Sequence, residues 1–296
     1  MKEPRESGDA SPGWEEAPRP PLDRAIGRSV FGADPAGYDS ARSDYPGQLY
    51  EAIGRRMPTR PSVAEIGAGT GLATVGLMTL APRRLVLIEP DPGMAGFLAA
   101  RFEKLGAEIV CAPFSDAPIA GRFDLVACAA AFHWLDTGPA LAKVRDLLTP
   151  GGTWAVWWNS YFGHGLVDPF GERVSALLVE EGIALPPSYT AGRHNAFDVR
   201  TQIGYIERAG LVDVRHEAFS VPRSFTPEQA RALYGTFSFI QVLEGARRNR
   251  ILDAVAEIVA FEFGGLAPGV CATALYLARG PEVQTTKFRP KSRRDN

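Results

Sequence analysis

Gly67, Gly69 and Gly71 alternate through the run Val63-Ala64-Glu65-Ile66-Gly67-Ala68-Gly69-Thr70-Gly71-Leu72-Ala73-Thr74. An apolar, strand-like stretch precedes them and a helix-forming one follows. Residues without a Cβ let a ligand approach the backbone closely. Glu89 stands twenty-two residues beyond Gly67, at the end of the next apolar run, Leu85–Ile88. An acidic side chain in that position can accept both ribose hydroxyls of a bound nucleoside. Together the two features predict a nucleoside-containing cofactor at the carboxyl ends of a parallel sheet.

The same residues narrow the choice of cofactor. A dinucleotide fingerprint requires Gly or Ala at its sixth position, where this chain has Leu72, and the Gly-Lys-Ser/Thr of a phosphate loop is absent. Glu65, two residues before the loop, would oppose a pyrophosphate. It would tolerate or attract the cationic amino group of S-adenosylmethionine. Of the four histidines, His133, His164, His194 and His216, only His133 follows the fourth apolar run, where a transferring group would emerge. It has the unperturbed pKa of a general base, and equally it can shape the pocket floor. The three cysteines, Cys111, Cys128 and Cys271, share no Cys-x-x-Cys, and the first two sit in hydrophobic stretches, which argues against a zinc site or a disulfide framework.

The elements that must position these residues alternate between strands and helices. Ser62–Ile66, Leu85–Ile88, Glu108–Cys111, Phe123–Cys128 and Trp154–Trp158 read as strands. Asp91-Pro92 caps a helix whose apolar face carries Met94, Phe97, Leu98 and Phe102, and Gly106 ends it. Ala140–Leu148 reads as a helix stopped by Thr149-Pro150-Gly151-Gly152. This order predicts an α/β fold with a parallel sheet. Residues 160–225 are less regular, with one helix over 170–182 and a strand over Val212–Val221. Thr226-Pro227-Glu228-Gln229 is a capping box, and Leu233, Phe237 and Ile240 continue its apolar stripe. A helix over 247–262 and a strand over Ala272–Ala278 complete the chain.

The composition suits this reading. The chain has 296 residues, 45% hydrophobic and 22% charged, with a formal net charge of −2, so it can build a sizeable core and carries no global basic field. Residues 1–24 and the basic 281–296 read as disordered, solvated tails. No apolar run reaches the ~20 residues that cross a bilayer. The expectation is a soluble cytoplasmic protein that meets neither membrane nor nucleic acid.

The runs VAEIGAGTGLAT, LVLIEPDPGM, FDLVACAAAFHWLD and LLTPGGTWAVWWN resemble, in order, the motifs of class I S-adenosylmethionine-dependent methyltransferases. Phe31–Pro46 and the FHWLD ending resemble the subgroup of trans-aconitate methyltransferase-like, methyltransferase type 11 proteins. The resemblance implies a doubly wound, Rossmann-like seven-stranded sheet whose last strand is antiparallel. It implies a cap helix and cofactor-binding core over 25–160 and a mostly helical substrate cover with the final strands over 161–280. By position it implies that Gly67, Gly69 and Gly71 pass the methionine and ribose portions, that Glu65 holds the amino side and that Glu89, with Pro90 beside it, takes the ribose. Phe114 and Ser115 would border adenine, where Pro113 replaces the family's frequent Asp. Tyr38, Arg42 and Tyr45 would close over the cofactor, and Cys128 would lie beside it at the end of the fourth strand.

The function expected is methyl transfer to a small organic molecule, at oxygen of a carboxylate, phenol or alcohol. A cofactor-binding subunit without transferase activity, or a methyltransferase acting on peptide or RNA, is the alternative. Trp158, Asn159, Tyr161 and Phe162 suggest an aromatic pocket, and Arg173, Arg193 and Arg200 are candidates for binding an acidic substrate.

Overall fold

The structure is a computed structural model in which residues 32–161, 165–166, 168–183 and 195–282 are described. The two tails and His164, His194, Phe162 and Arg193 lie outside the described residues, except that Pro281 and Glu282 are included. Seven strands form one sheet in the order β3-β2-β1-β4-β5-β7-β6. They are β1 (Ser62–Ile66), β2 (Arg84–Ile88), β3 (Ala107–Val110), β4 (Phe123–Ala129), β5 (Leu148–Ser160), β6 (Val212–Phe225) and β7 (Ala267–Arg279). The first five pair in parallel, and β7 runs antiparallel to both β5 and β6.

Period-two alternation sends each strand's side chains to opposite faces. Ile66, Ile88, Cys128, Trp154 and Trp158 pack on one face with Leu141 and Val144 of helix α5 (Thr137–Leu147) and Ile206 of α7 (Val199–Arg208). Leu87, Leu125 and Trp157 pack on the other. There they meet Ile53 of α2 (Gly47–Gly54), Leu77 of α3 (Leu72–Leu77) and Leu98 of α4 (Pro92–Phe102). A third cluster joins Val174 of α6 (Pro169–Glu180), Leu233 of α8 (Pro227–Gly235) and Ile251 of α10 (Gly245–Glu257) to Cys271 of β7. No helix among the described residues is long and apolar enough to cross a membrane.

Four local readings differ from the structure. Helix α7 falls within the stretch read as irregular. Asp198 caps it by accepting from the Thr201 amide, and its apolar positions dock on the sheet. The stripe through Leu233, Phe237 and Ile240 is not one helix. α8 ends at Gly235, Phe237 is extended, and the short α9 (Ser238–Gln241) follows. Strand β5 begins at Leu148 rather than Trp154. The β4–β5 register shifts between Phe123↔Leu148 and Leu125↔Thr153, and this bulge absorbs Pro150, Gly151 and Gly152. Cys111, read as lying in a hydrophobic stretch, is exposed.

Candidate active site

At the carboxyl ends of β1 and β2 the glycine loop takes shape. All three glycines have positive φ, at +66°, +59° and +89° for Gly67, Gly69 and Gly71. They do different work. A Cβ on Gly67 would lie 2.4 Å from the Cβ of Ala131, and one on Gly71 would lie 2.3 Å from the Phe102 ring. A Cβ on Gly69 would meet nothing within 4 Å. Gly67 and Gly69 line a cavity of about 520 Å³, and Gly71 does not. Gly71 packs instead against Phe102 and Leu98 of α4.

Glu89 closes this end of the cavity. Its Oε2 accepts from the Gly69 amide at 2.8 Å and its Oε1 from the Asp91 amide at 2.9 Å. Burial pushes its pKa up, and those two N–H donors pull it back. Glu65 is fully buried. Its Oε2 accepts from the Thr74 hydroxyl at 2.6 Å, while Oε1 has no hydrogen-bond partner among the described residues. Burial pushes the Glu65 carboxyl up to about 8. A carboxyl raised in the folded state costs stability as pH climbs from its unfolded value to its folded one. Protein purified without ligand should therefore lose stability between about pH 4.5 and 8 through this group. Melting temperatures should show Glu65→Gln close to the parent at pH 5 and clearly above it at pH 8. Equal differences at both pH values would contradict a buried, protonated Glu65.

The opposite end of the cavity is aromatic. Trp134, Trp158, Tyr161, Tyr205, Phe237 and Phe239 line it. The break between α8 and α9 is what turns Phe237 and Phe239, stacked 5.5 Å apart, toward it. Trp158 Nε1 donates to His133 Nδ1 at 3.3 Å. Helix α1 (Pro35–Ala41) and the segment after it cover the cavity. Arg101 bridges Asp39 of α1 and the Thr70 carbonyl of the glycine loop. Arg42 donates to the Thr236 carbonyl at 3.2 Å, and its guanidinium lies over the rings of Tyr38, Tyr161 and Phe237 at 5.3, 5.7 and 4.6 Å. The Ser43 amide donates to the Tyr161 hydroxyl at 2.9 Å. Burial pushes the phenols of Tyr45 and Tyr161 up.

Tyr38, Arg42, Glu65, Gly67, Gly69, Glu89, Pro90, Phe114, Ser115 and His133 all line this one cavity. Cys128 does not. Its side chain is buried in the core beneath the sheet, where burial raises the thiol pKa. Arg173 pairs with Glu262 on the surface at 2.9 Å, and Arg200 is not part of the lining. Sequence reading missed Phe239, whose place depends on the break after α8, and Lys143, which stands among apolar residues of α5 and carries no sequence signal beyond an exposed-face charge.

Residues 64–156 match the family model described as a methyltransferase domain. An uncharacterized methyltransferase of Mycobacterium bovis is 31% identical over 191 residues, which cover 62% of this chain and 74% of that protein. Another, of Schizosaccharomyces pombe, is 26% identical over 241 residues, covering 79% and 88%. The crystal structure of the [4+2]-cyclase SpnF shares the fold with a TM-score of 0.55 and 14% identity, over 90% of this chain and 100% of that one. With its glycine loop, its sheet order and these relatives, the chain belongs to the class I S-adenosylmethionine-dependent methyltransferases.

Proposed function

We propose that the chain binds S-adenosylmethionine at the acidic end of the cavity and methylates an oxygen of a small organic molecule held at the aromatic end. The observation that carries this reading is one cavity lined both by the acidic glycine-loop residues and by a group of aromatic rings, with Ala131 beside Gly67 and His133 bonded to Trp158 between them in the lining. The residues present fit the methyl donor. The unpartnered Oε1 of buried Glu65 suits an ammonium group, and the space beside Gly69 admits a ligand against the backbone. Each Glu89 oxygen keeps a lone pair for a ribose hydroxyl after accepting one amide. Residues 25–160 then hold the donor, and 161–280 supply most of the acceptor walls. When bound, S-adenosylmethionine supplies a methyl group already activated by its sulfonium, so that an O–C bond forms as the S–C bond breaks with its electron pair left on sulfur.

The chain's own task is alignment and exclusion of water. An indole N–H only donates, so the Trp158 bond fixes His133 Nδ1 as an acceptor and places the proton of the neutral ring on Nε2. His133 therefore orients an acceptor rather than deprotonating it. A reaction of this kind suits an oxygen that is already ionised, a carboxylate above all. Arg42 disfavours a cationic amine beside it. Incubating the protein with a panel of carboxylic acids, phenols and amines and isotopically labelled S-adenosylmethionine tests the reading by mass spectrometry. Label in carboxylates is expected, and label confined to amines or polymer would overturn it. For His133→Gln, single-turnover rates from pH 5.5 to 8.5 should stay within a few-fold of the parent, with a raised acceptor KM. A loss of about 10²–10⁴ that removes a pH-dependent limb would instead make His133 the base.

A further inference from the structure

Lys143 lies on α5 between the buried Leu141 and Val144 turns of the helix, and its ammonium is turned onto the loop that follows β3. Nζ donates to three backbone carbonyls, those of Phe114 at 2.6 Å, Ser115 at 3.0 Å and Ala117 at 3.2 Å. An ammonium has three protons, so its donor capacity is fully used by one short loop. It also sits 5.0 Å from the centroid of the Phe114 ring. Among the described residues no carboxylate is ion-paired with it; Asp116 attracts it at longer range, and its hydrogen bonds among these residues all go to peptide carbonyls. Lys143, Phe114 and Ser115 all border the cavity.

The consequence follows from peptide geometry. In a trans peptide the C=O of one residue and the N–H of the next point in opposite directions. Holding the Phe114 carbonyl toward Nζ therefore directs the Ser115 N–H away from α5. That amide makes no hydrogen bond within the described residues, whereas the neighbouring Asp116 amide is already committed to the Pro113 carbonyl. Pro113, for its part, offers neither an N–H nor a polar side chain.

We propose that Lys143 is a positioning residue for the purine of the methyl donor: it locks the loop after β3 so that the Ser115 amide is presented to an unprotonated ring nitrogen. The inference rests on reading this end of the cavity as the nucleoside end. The ligand chemistry is a purine with a bare N1, read by one main-chain donor rather than by an acidic side chain. Desolvation lowers the Lys143 pKa, in keeping with an ammonium withdrawn toward carbonyls.

Binding of S-adenosylhomocysteine and of its 1-deaza analogue, in which N1 is replaced by C–H, tests this by calorimetry. The parent should prefer the natural nucleoside by about tenfold, the worth of one hydrogen bond left unmade. In Lys143→Met that preference should collapse toward unity, because nothing then holds the Phe114 carbonyl and the Ser115 amide in place. If Lys143→Met does not fold, the same ratio is read on Lys143→Arg, whose planar fork cannot converge on three carbonyls, and an intermediate preference is expected. A variant that keeps the full preference, or a parent that binds both ligands equally, overturns the role of Lys143. A parent that binds neither ligand overturns the donor site itself, and so the two failures are distinct.

Discussion

Glu89→Ala is expected to weaken S-adenosylhomocysteine binding by about 2–4 kcal/mol, or roughly 30- to 1000-fold. Two losses add. The carboxylate ties the Gly69 and Asp91 amides together, and each of its oxygens retains a lone pair for a hydroxyl. Alanine removes the hydroxyl acceptors and frees the loop from the start of α4. Because the group is only 7% exposed, water cannot replace it well. Glu89→Gln should fall between, since its amide group can satisfy only one of the two N–H donors. Calorimetric titration checks both variants, and unchanged affinity in Glu89→Ala would remove the ribose from this end of the cavity.

Gly69→Val should abolish donor binding up to a concentration of about 1 mM while the protein still folds. A Cβ there meets nothing within 4 Å, so the added bulk points into the open space that the ligand would occupy. Its φ of +59° costs about 1–2 kcal/mol for a residue with a Cβ, which lowers Tm by about 2–8 °C. Gly71→Val should behave in the opposite sense. There the Cβ would collide with Phe102 and Leu98 at a φ of +89°, and destabilisation of about 3 kcal/mol or more should dominate. Melting curves and ligand titrations on the two variants separate the cases. A Gly69→Val protein that binds as the parent does would mean that the ligand does not approach this backbone.

These expectations rest on features with different origins. The core of the sheet was legible because a βαβ unit is local. Continuous apolar runs such as LVLI announce strands buried on both faces, and Gly67 and Glu89 are brought together by one crossover. Asp91-Pro92 and Thr226-Pro227 announced helix starts for the same reason, since a cap needs only its own next few residues.

What the amino-acid sequence determined by itself, then, was the parallel sheet, the glycine loop at its carboxyl ends and the carboxylate at the end of the next strand. Tertiary structure alone decided which glycine borders the cavity and which packs on Phe102, because both have positive φ and what their Cβ positions face is set by distant neighbours. It alone moved Cys128 into the core, one side-chain alternation away from the lining. It alone joined His133 to Trp158, Arg42 to Phe237, and Lys143 to the carbonyls of a loop twenty-six to twenty-nine residues earlier. Each of these depends on where two separate elements cross, and that is set by how their apolar faces fill the core together, which no local window of sequence contains.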